Sequence, residues 1–253
     1  MKNMKRILSV AAVFVLAGSM LPGCGSSSSD ENTLVMATNA TFPPYEYVEG
    51  DEIVGIDPEI AAAIAEELGM ELQIEDVEFD SIVAGVASGK YDMGMAGMTV
   101  DPERLESVNF SDSYATGIQS IIVKEGSPIQ SAEDLSAETL IGVQQGTTGA
   151  MYAADDYGQD AVVNFNKGAD AVQALVTDKV DCVIIDNEPA KSFVEANPGL
   201  KILDTEYAVE DYAICVAKDN DELLDKINDA LAKLKEDGTL DEIINKYIPS
   251  DGE

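Results

Sequence analysis

The richest chemistry in the chain lies between residues 79 and 114, where Arg104 follows a Gly97-Met98-Thr99 turn and a helix-like run that opens with Phe79. An arginine fork grips a carboxylate through two parallel hydrogen bonds. A glycine turn exposes backbone groups, and an aromatic ring offers a flat apolar wall. Together these residue types suit a small zwitterion. The same residues also suit a surface ion pair and a core phenylalanine, and this stretch alone leaves both readings open.

The elements that must carry these residues are legible from periodicity and punctuation. Residues 33–38 form a short apolar strand, and the loop 39–47 contains Pro43-Pro44, which bars helix. Residues 57–69 read as a helix with Asp57 as N-cap, Pro58 in the first turn, Gly69 at the stop and Ile60, Ile64 and Leu68 as the buried stripe. A strand over 71–77, a helix over 79–88 and a strand over 91–96 then deliver the Gly97 turn. Asp101 caps a short helix that has Pro102 at its first position.

A second α/β unit starts at residues 120–123. The strand 140–143 leads through Gly146-Thr147-Thr148 into a helix over 149–157, whose free N–H groups attract an anion unless Thr147 or Thr148 caps it. A helix follows over 168–177. The apolar run 180–185 ends at Asp186, which either faces a site or caps the helix 187–195. A strand over 211–217 precedes helices over 222–235 and 240–247, the former with an apolar stripe from Leu223 to Leu234. Alternating strands and helices imply a parallel sheet under covering helices, with ligands beyond the carboxyl ends of the strands.

Six segments in this order resemble the polar amino-acid branch of the bacterial extracellular solute-binding proteins, family three. They are residues 38–47 (TNATFPPYEY), 54–57 (VGID), 96–104 (AGMTVDPER), 142–148 (GVQQGTT), 180–186 (VDCVIID) and 237–240 (DGTL). The resemblance implies an α/β, two-lobed periplasmic-binding-protein-like type II fold with a hinge of two crossover segments. Lobe one would hold residues 33–116 and 212–250, and lobe two residues 117–211. It further implies a receptor that captures a polar L-amino acid between the lobes and delivers it to an ABC permease with its ATPase subunits. By the same resemblance, Arg104 pairs with the ligand α-carboxylate, helped by the backbone N–H groups of Thr99 and Thr148. Asp186 takes the α-ammonium with the Gly97 carbonyl and the Thr99 hydroxyl. Phe42 and Phe79 pack on the ligand side chain, while Asn39 and Gln144 reach its distal end. Relatives often carry an acidic residue where this chain has Asn39, so glutamine or cystine stand open beside basic amino acids, for which Glu46 and Glu188 still offer negative charge.

Composition narrows the alternatives. The 253 residues suffice for two modest domains, and 48 acidic residues against 15 basic ones disfavour a nucleic-acid partner. With no histidine, Ser-His-Asp and Cys-His catalysis and His-containing metal sites are excluded. Cys24, Cys182 and Cys215 form no CxxC motif, and the latter two read as buried free thiols, with a disulfide between them as the alternative in an exported protein. Residues 88–90 lack P-loop spacing, and no Ca²⁺ loop appears. We therefore expect no metal, no cofactor and no catalytic residues. A prephenate- or arogenate-type dehydratase on the same fold is the alternative, and a sensory module a third.

Lys2, Lys5 and Arg6 precede an apolar stretch over 7–21 that is too short for a comfortable membrane span. Leu21-Pro22-Gly23-Cys24 resembles a lipobox, which implies a signal peptide over 1–23, lipidation of Cys24 and a serine-rich tether over 24–32. The expected product is an exported monomer, lipid-anchored on the outer face of the cell membrane, or on the periplasmic side where an outer membrane exists.

Overall fold

The computed structural model describes residues 32–249; the signal-like segment, Cys24 and most of the tether lie outside them. In chain order the first elements are β1 (Thr33–Thr38), β2 (Thr41–Phe42), β3 (Glu46–Glu49), β4 (Glu52–Val54), α1 (Ile56–Leu68), β5 (Glu71–Asp76) and α2 (Phe79–Ala87). They continue with β6 (Met93–Gly94), α3 (Arg104–Ser107), β7 (Val108–Phe110), β8 (Ala115–Lys124), β9 (Ile141–Gln144), α4 (Thr148–Tyr157) and β10 (Val162–Phe165). Then come α5 (Gly168–Val176), β11 (Cys182–Asp186), α6 (Asn187–Ala196), β12 (Leu200–Ile202), β13 (Ala208–Tyr212), β14 (Cys215–Ala217), α7 (Asp221–Asp237) and α8 (Thr239–Tyr247).

Two large sheets organise most of these elements, and β2-β3-β4 form a small third one. The first runs β5-β1-β6-β14-β7 and the second β10-β9-β11-β8-β12, with β13 also paired to β8. In the first, β5, β1 and β6 are parallel, and β14 enters antiparallel between β6 and β7. Alternation along each central strand fills a core on both faces, as expected where helices cover both sides. Leu34 and Met36 point toward Ile60, Ile64 and Leu231, whereas Ala37 joins Ile82, Val86 and Cys215 on the other face. Along β11, Cys182 and Ile184 share one core with Ile121 and Val143, and Val183 and Ile185 share another with Ile122 and Leu175. The almost unbroken apolar run that ends at Asp186 is therefore, from Cys182 on, a strand buried on both faces. Cys182 and Cys215 are free thiols in different cores.

The chain passes between the sheets twice, from β7 into β8 and from β13 into β14. The two passages are themselves paired antiparallel, from Ala208 opposite Gln119 to Tyr212 opposite Ala115. This two-lobed α/β arrangement with two crossovers is the expected fold.

Two local expectations change. Asp57 does not cap α1, which begins one residue earlier with Gly55 at the N-cap and no side-chain cap. Its carboxylate turns inward instead, where Oδ2 accepts from the Gly97 N–H at 2.8 Å and the Tyr114 hydroxyl at 3.0 Å. The helix end does not need it, because the N–H groups of Ile56 and Asp57 are bonded to the Pro44 and Tyr45 carbonyls at 3.1 and 2.9 Å. The expected strand over 211–217 is in fact two strands. Tyr212 ends β13 in the second sheet and Cys215 starts β14 in the first, because the chain changes sheet at Ala213 and Ile214.

Candidate functional site

One cavity with about 460 Å³ of atom-free space, its open mouth included, lies between the two sheets. Asn39, Phe42, Phe79, Gly97, Thr99, Arg104, Gln144, Thr148 and Asp186 all line it. Their placement follows from the elements. Asn39 leaves the carboxyl end of β1, Gln144 ends β9 and Asp186 ends β11. Phe79 starts α2, Thr148 starts α4 and Arg104 starts α3. These are strand carboxyl ends and helix amino ends, the positions that open α/β sheets offer to ligands.

Arg104 is the anchor of this arrangement. Asp101 Oδ1 accepts from the backbone N–H groups of Glu103 and Arg104 at 2.8 and 3.3 Å, so the expected capping residue does hold the turn. The guanidinium lies 5.3 Å from the centre of the Phe79 ring. It donates to the Thr99 carbonyl at 2.8 Å and to the Gly146 carbonyl at 3.0 Å. One side chain therefore holds both banks of the cleft. Burial pulls the Arg104 pKa below its ordinary value, against the opposing pull of Asp101 and Glu210. Thr99 and Thr148 face each other with their hydroxyls 3.4 Å apart.

Asp186 both caps α6 and faces the cavity. Oδ1 accepts from the Glu188 N–H at 3.1 Å, and Oδ2 accepts from the Ile118 N–H at 3.0 Å and the Tyr212 hydroxyl at 2.6 Å. Complete burial pushes its pKa up to about 7, even though all three donors favour the ionised form. Gly117 makes room for this cluster, since a Cβ there would sit 2.4 Å from the Tyr212 hydroxyl and 2.6 Å from Asp186 Oδ2. Gly97 adopts φ +51, and a Cβ there would touch the Phe42 ring at 3.0 Å.

At the far end, Gln144 Nε2 donates to Asn39 Oδ1 at 2.9 Å and to the Asn166 carbonyl at 3.1 Å. Asn39 Nδ2 in turn donates to the Val77 carbonyl at 2.7 Å. Glu46 is 1% exposed, lines the cavity and has no donor on either carboxyl oxygen. Burial and the neighbouring Asp57 carboxylate push its pKa well above the ordinary range. Sequence reasoning raised Glu46 only as a source of charge. It missed Tyr212, Gln119, Thr147, Ile184 and Ile185 as lining residues. Tyr212 carries no motif, and only its pairing opposite Ala115 brings it to Asp186.

The profile of the bacterial extracellular solute-binding proteins, family 3, matches residues 34–250. The chain belongs to this family. It is 36% identical over 252 residues to the arginine-binding extracellular protein ArtP of Bacillus subtilis (strain 168), covering 96% of each chain. It is 30% identical over 270 residues to the ABC transporter glutamine-binding protein GlnH of the same organism, covering 98% of this chain and 99% of that one. Among solved structures, an ancestral arginine-binding protein bound to glutamine superposes with a TM-score of 0.82 at 39% identity, covering 87% of this chain and 99% of that one. The arginine-, lysine-, histidine-binding protein ArtJ of Geobacillus stearothermophilus gives 0.82 at 33% identity, covering 87% and 97%. These members of family 3 are binding proteins of two-lobed architecture, which sides with a solute receptor against the dehydratase.

Proposed function

We propose that the protein captures a cationic L-amino acid, arginine foremost, outside the cell membrane and passes it to an ABC permease. The observation that carries this reading is Glu46, a buried carboxyl group that lines the cavity with no donor on either oxygen. A carboxyl group so placed is costly unless something brings it a donor or a positive charge. A guanidinium at the end of the ligand side chain supplies both. Arginine-binding relatives at 36% and 30% identity support the choice.

In this reading Arg104 takes the α-carboxylate and Asp186 the α-ammonium. Phe42 and Phe79 flank the side chain, and Thr99, Thr148 and the Gly97 turn complete the polar ring. Asn39 and Gln144, bonded to each other, border the distal end with uncharged groups, so the recognition of charge falls to Glu46. Lobe one comprises residues 33–116 and 212–250, and lobe two residues 117–211. A ligand held by Arg104 from one and Asp186 from the other favours closure by its higher affinity for the closed form. The protein is a receptor rather than an enzyme. Cys24, following Leu21-Pro22-Gly23, carries the lipid that keeps it at the membrane face.

Thermal unfolding of residues 25–253 against the common L-amino acids, cystine and ornithine tests the reading. A ligand at about a thousandfold over Kd adds about 4 kcal/mol, which raises Tm by about 8–16 °C for a chain of this size. The largest rise is expected with arginine. A rise confined to glutamine, cystine or other neutral side chains would overturn the cationic assignment.

A further inference from the structure

Gln119 is a buried amide in the cavity wall to which the binding scheme above gives no role. It lies on β8 directly opposite Asp186 on β11, and on its other side opposite Ala208 on β13. Residues directly opposite on antiparallel strands point to one face, with Cβ atoms about 4.5–5.5 Å apart. Gln119 and Asp186 therefore stand side by side, and both line the cavity. Glu210 follows Ala208 by two residues on the same face of β13 and is 4% exposed. Gln119 Nε2 donates to Glu210 Oε2 at 2.9 Å, and Glu210 Oε1 has no donor. A carboxylate only accepts, so the amide nitrogen has to face Glu210 and the amide cannot turn over. Glu210 stands behind Gln119 rather than in the cavity lining. The nitrogen is thus drawn behind the wall, and the amide oxygen is the polar end left to the cavity. It reaches the start of α4, where a Cβ on Gly149 would lie 2.7 Å from it.

We propose that Gln119 Oε1 accepts a hydrogen bond from the ligand α-ammonium beside Asp186, and that Glu210 is the positioning residue that holds this oxygen in place. The proposal rests on the reading of the cavity as an amino-acid site and adds two residues to it. A buried ammonium needs an acceptor for each of its three N–H groups. The Asp186 carboxylate supplies the opposite charge, but its oxygens already accept from the Glu188 and Ile118 N–H groups and the Tyr212 hydroxyl. The adjacent amide oxygen adds a directed acceptor without adding a second charge. With its nitrogen held by Glu210, Gln119 cannot donate into the cavity. This wall therefore suits a donor such as an α-ammonium and offers nothing to a group that only accepts.

The test compares affinities for L-arginine and for 5-guanidinopentanoate, which is arginine without its α-amino group. Both are measured by calorimetry, or by displacement where binding is weak, in the parent protein, Gln119→Met and Glu210→Gln. Gln119→Met should weaken L-arginine about tenfold and leave 5-guanidinopentanoate within about twofold, the loss of one hydrogen bond to a charged group. Glu210→Gln keeps the shape but frees the amide to turn over. It should weaken L-arginine about threefold or more, with the analogue again little changed. A distorted strand would weaken both ligands alike, so equal losses overturn the proposal, as does an unchanged L-arginine affinity in Gln119→Met. Should Gln119→Met fail to fold, Glu210→Gln decides alone, and an unchanged ratio of the two affinities overturns both roles. A parent protein that binds L-glutamine and not L-arginine sinks the cationic reading only. The comparison is then made with L-glutamine and 4-carbamoylbutanoate, its counterpart without the α-amino group, and the same outcomes decide Gln119. A parent protein that binds no α-amino acid overturns this proposal together with the reading it rests on.

Discussion

Gln144 donates to Asn39 Oδ1 at 2.9 Å across a sequence separation of 105 residues. The bond joins the end of β9 in the second sheet to the loop after β1 in the first, so two uncharged amides close the distal end of the cavity. Both amides are thereby engaged in the protein's own network.

Arg104 is the first residue to test. Its fork reaches the Thr99 and Gly146 carbonyls and stacks on Phe79. Arg104→Ala should weaken amino-acid binding by several kcal/mol in titration calorimetry, because it leaves a buried α-carboxylate unpaired. Arg104→Lys should recover little, since an ammonium cannot reproduce a planar fork. Unchanged affinity in the alanine variant would remove Arg104 from the site.

Asp186 sets a pH dependence. Its folded pKa is about 7, above the ordinary value of 3.8. In the proposed role the ionised form takes the ligand α-ammonium, so affinity should fall as pH drops through about 7, at a limiting tenfold per pH unit. Stability of the ligand-free protein has the opposite trend. Between about pH 4 and 7 the folded state holds the proton that the unfolded state has lost, so stability falls as pH rises through this window. Calorimetric Tm without ligand should therefore rise from pH 8 to pH 5, and Asp186→Asn should flatten part of that slope.

Gly117→Ala should act at the same place by a different route. The new Cβ would collide with the Tyr212 hydroxyl and Asp186 Oδ2. The expected result is at least a tenfold loss of affinity with the circular dichroism spectrum retained. Affinity equal to that of the parent protein would mean that the Tyr212–Asp186 bond does not orient the carboxylate.

Gln145 Nε2 donates to Asp80 Oδ2 at 2.6 Å at the rim, where both groups meet water. A net hydrogen bond of about 0.5–1.5 kcal/mol predicts that Asp80→Ala speeds ligand dissociation about two- to tenfold in stopped-flow fluorescence. The association rate should change less.

Burial pushes both the Cys182 and Cys215 thiols up to about 12. Neither should react with a disulfide reagent at pH 8 in the native protein, and both should react on denaturation. Rapid labelling of either in the native state would contradict its burial.

Much of this arrangement was legible in the sequence, and the reasons are local. Gly69 and Gly238 end their helices in left-handed turns where the sequence stops them. The run to Asp186 reads as a strand because both its faces are buried. The nine candidate residues meet in one cavity because most sit at a strand or helix end, with Gly97 and Thr99 in the loop that follows β6. What sequence could not give depends on distance in space. Asp57 has the residue type and position of a helix cap, and only the folded chain brings it the Gly97 N–H. Tyr212 looks like an ordinary strand residue until the pairing of β13 with β8 sets it against Asp186.

The position of β14 has a consequence for how the molecule is made. This strand lies inside the first sheet, between β6 and β7, yet it follows every strand of the second sheet in the chain. A polypeptide threaded through a membrane from its N-terminus therefore completes the later sheet first. The earlier one stays open, with β6 and β7 unjoined, until residues 215–217 emerge. Folding of the first sheet is thus timed by its last strand, and a chain stalled before that point holds a finished second half beside an unfinished first.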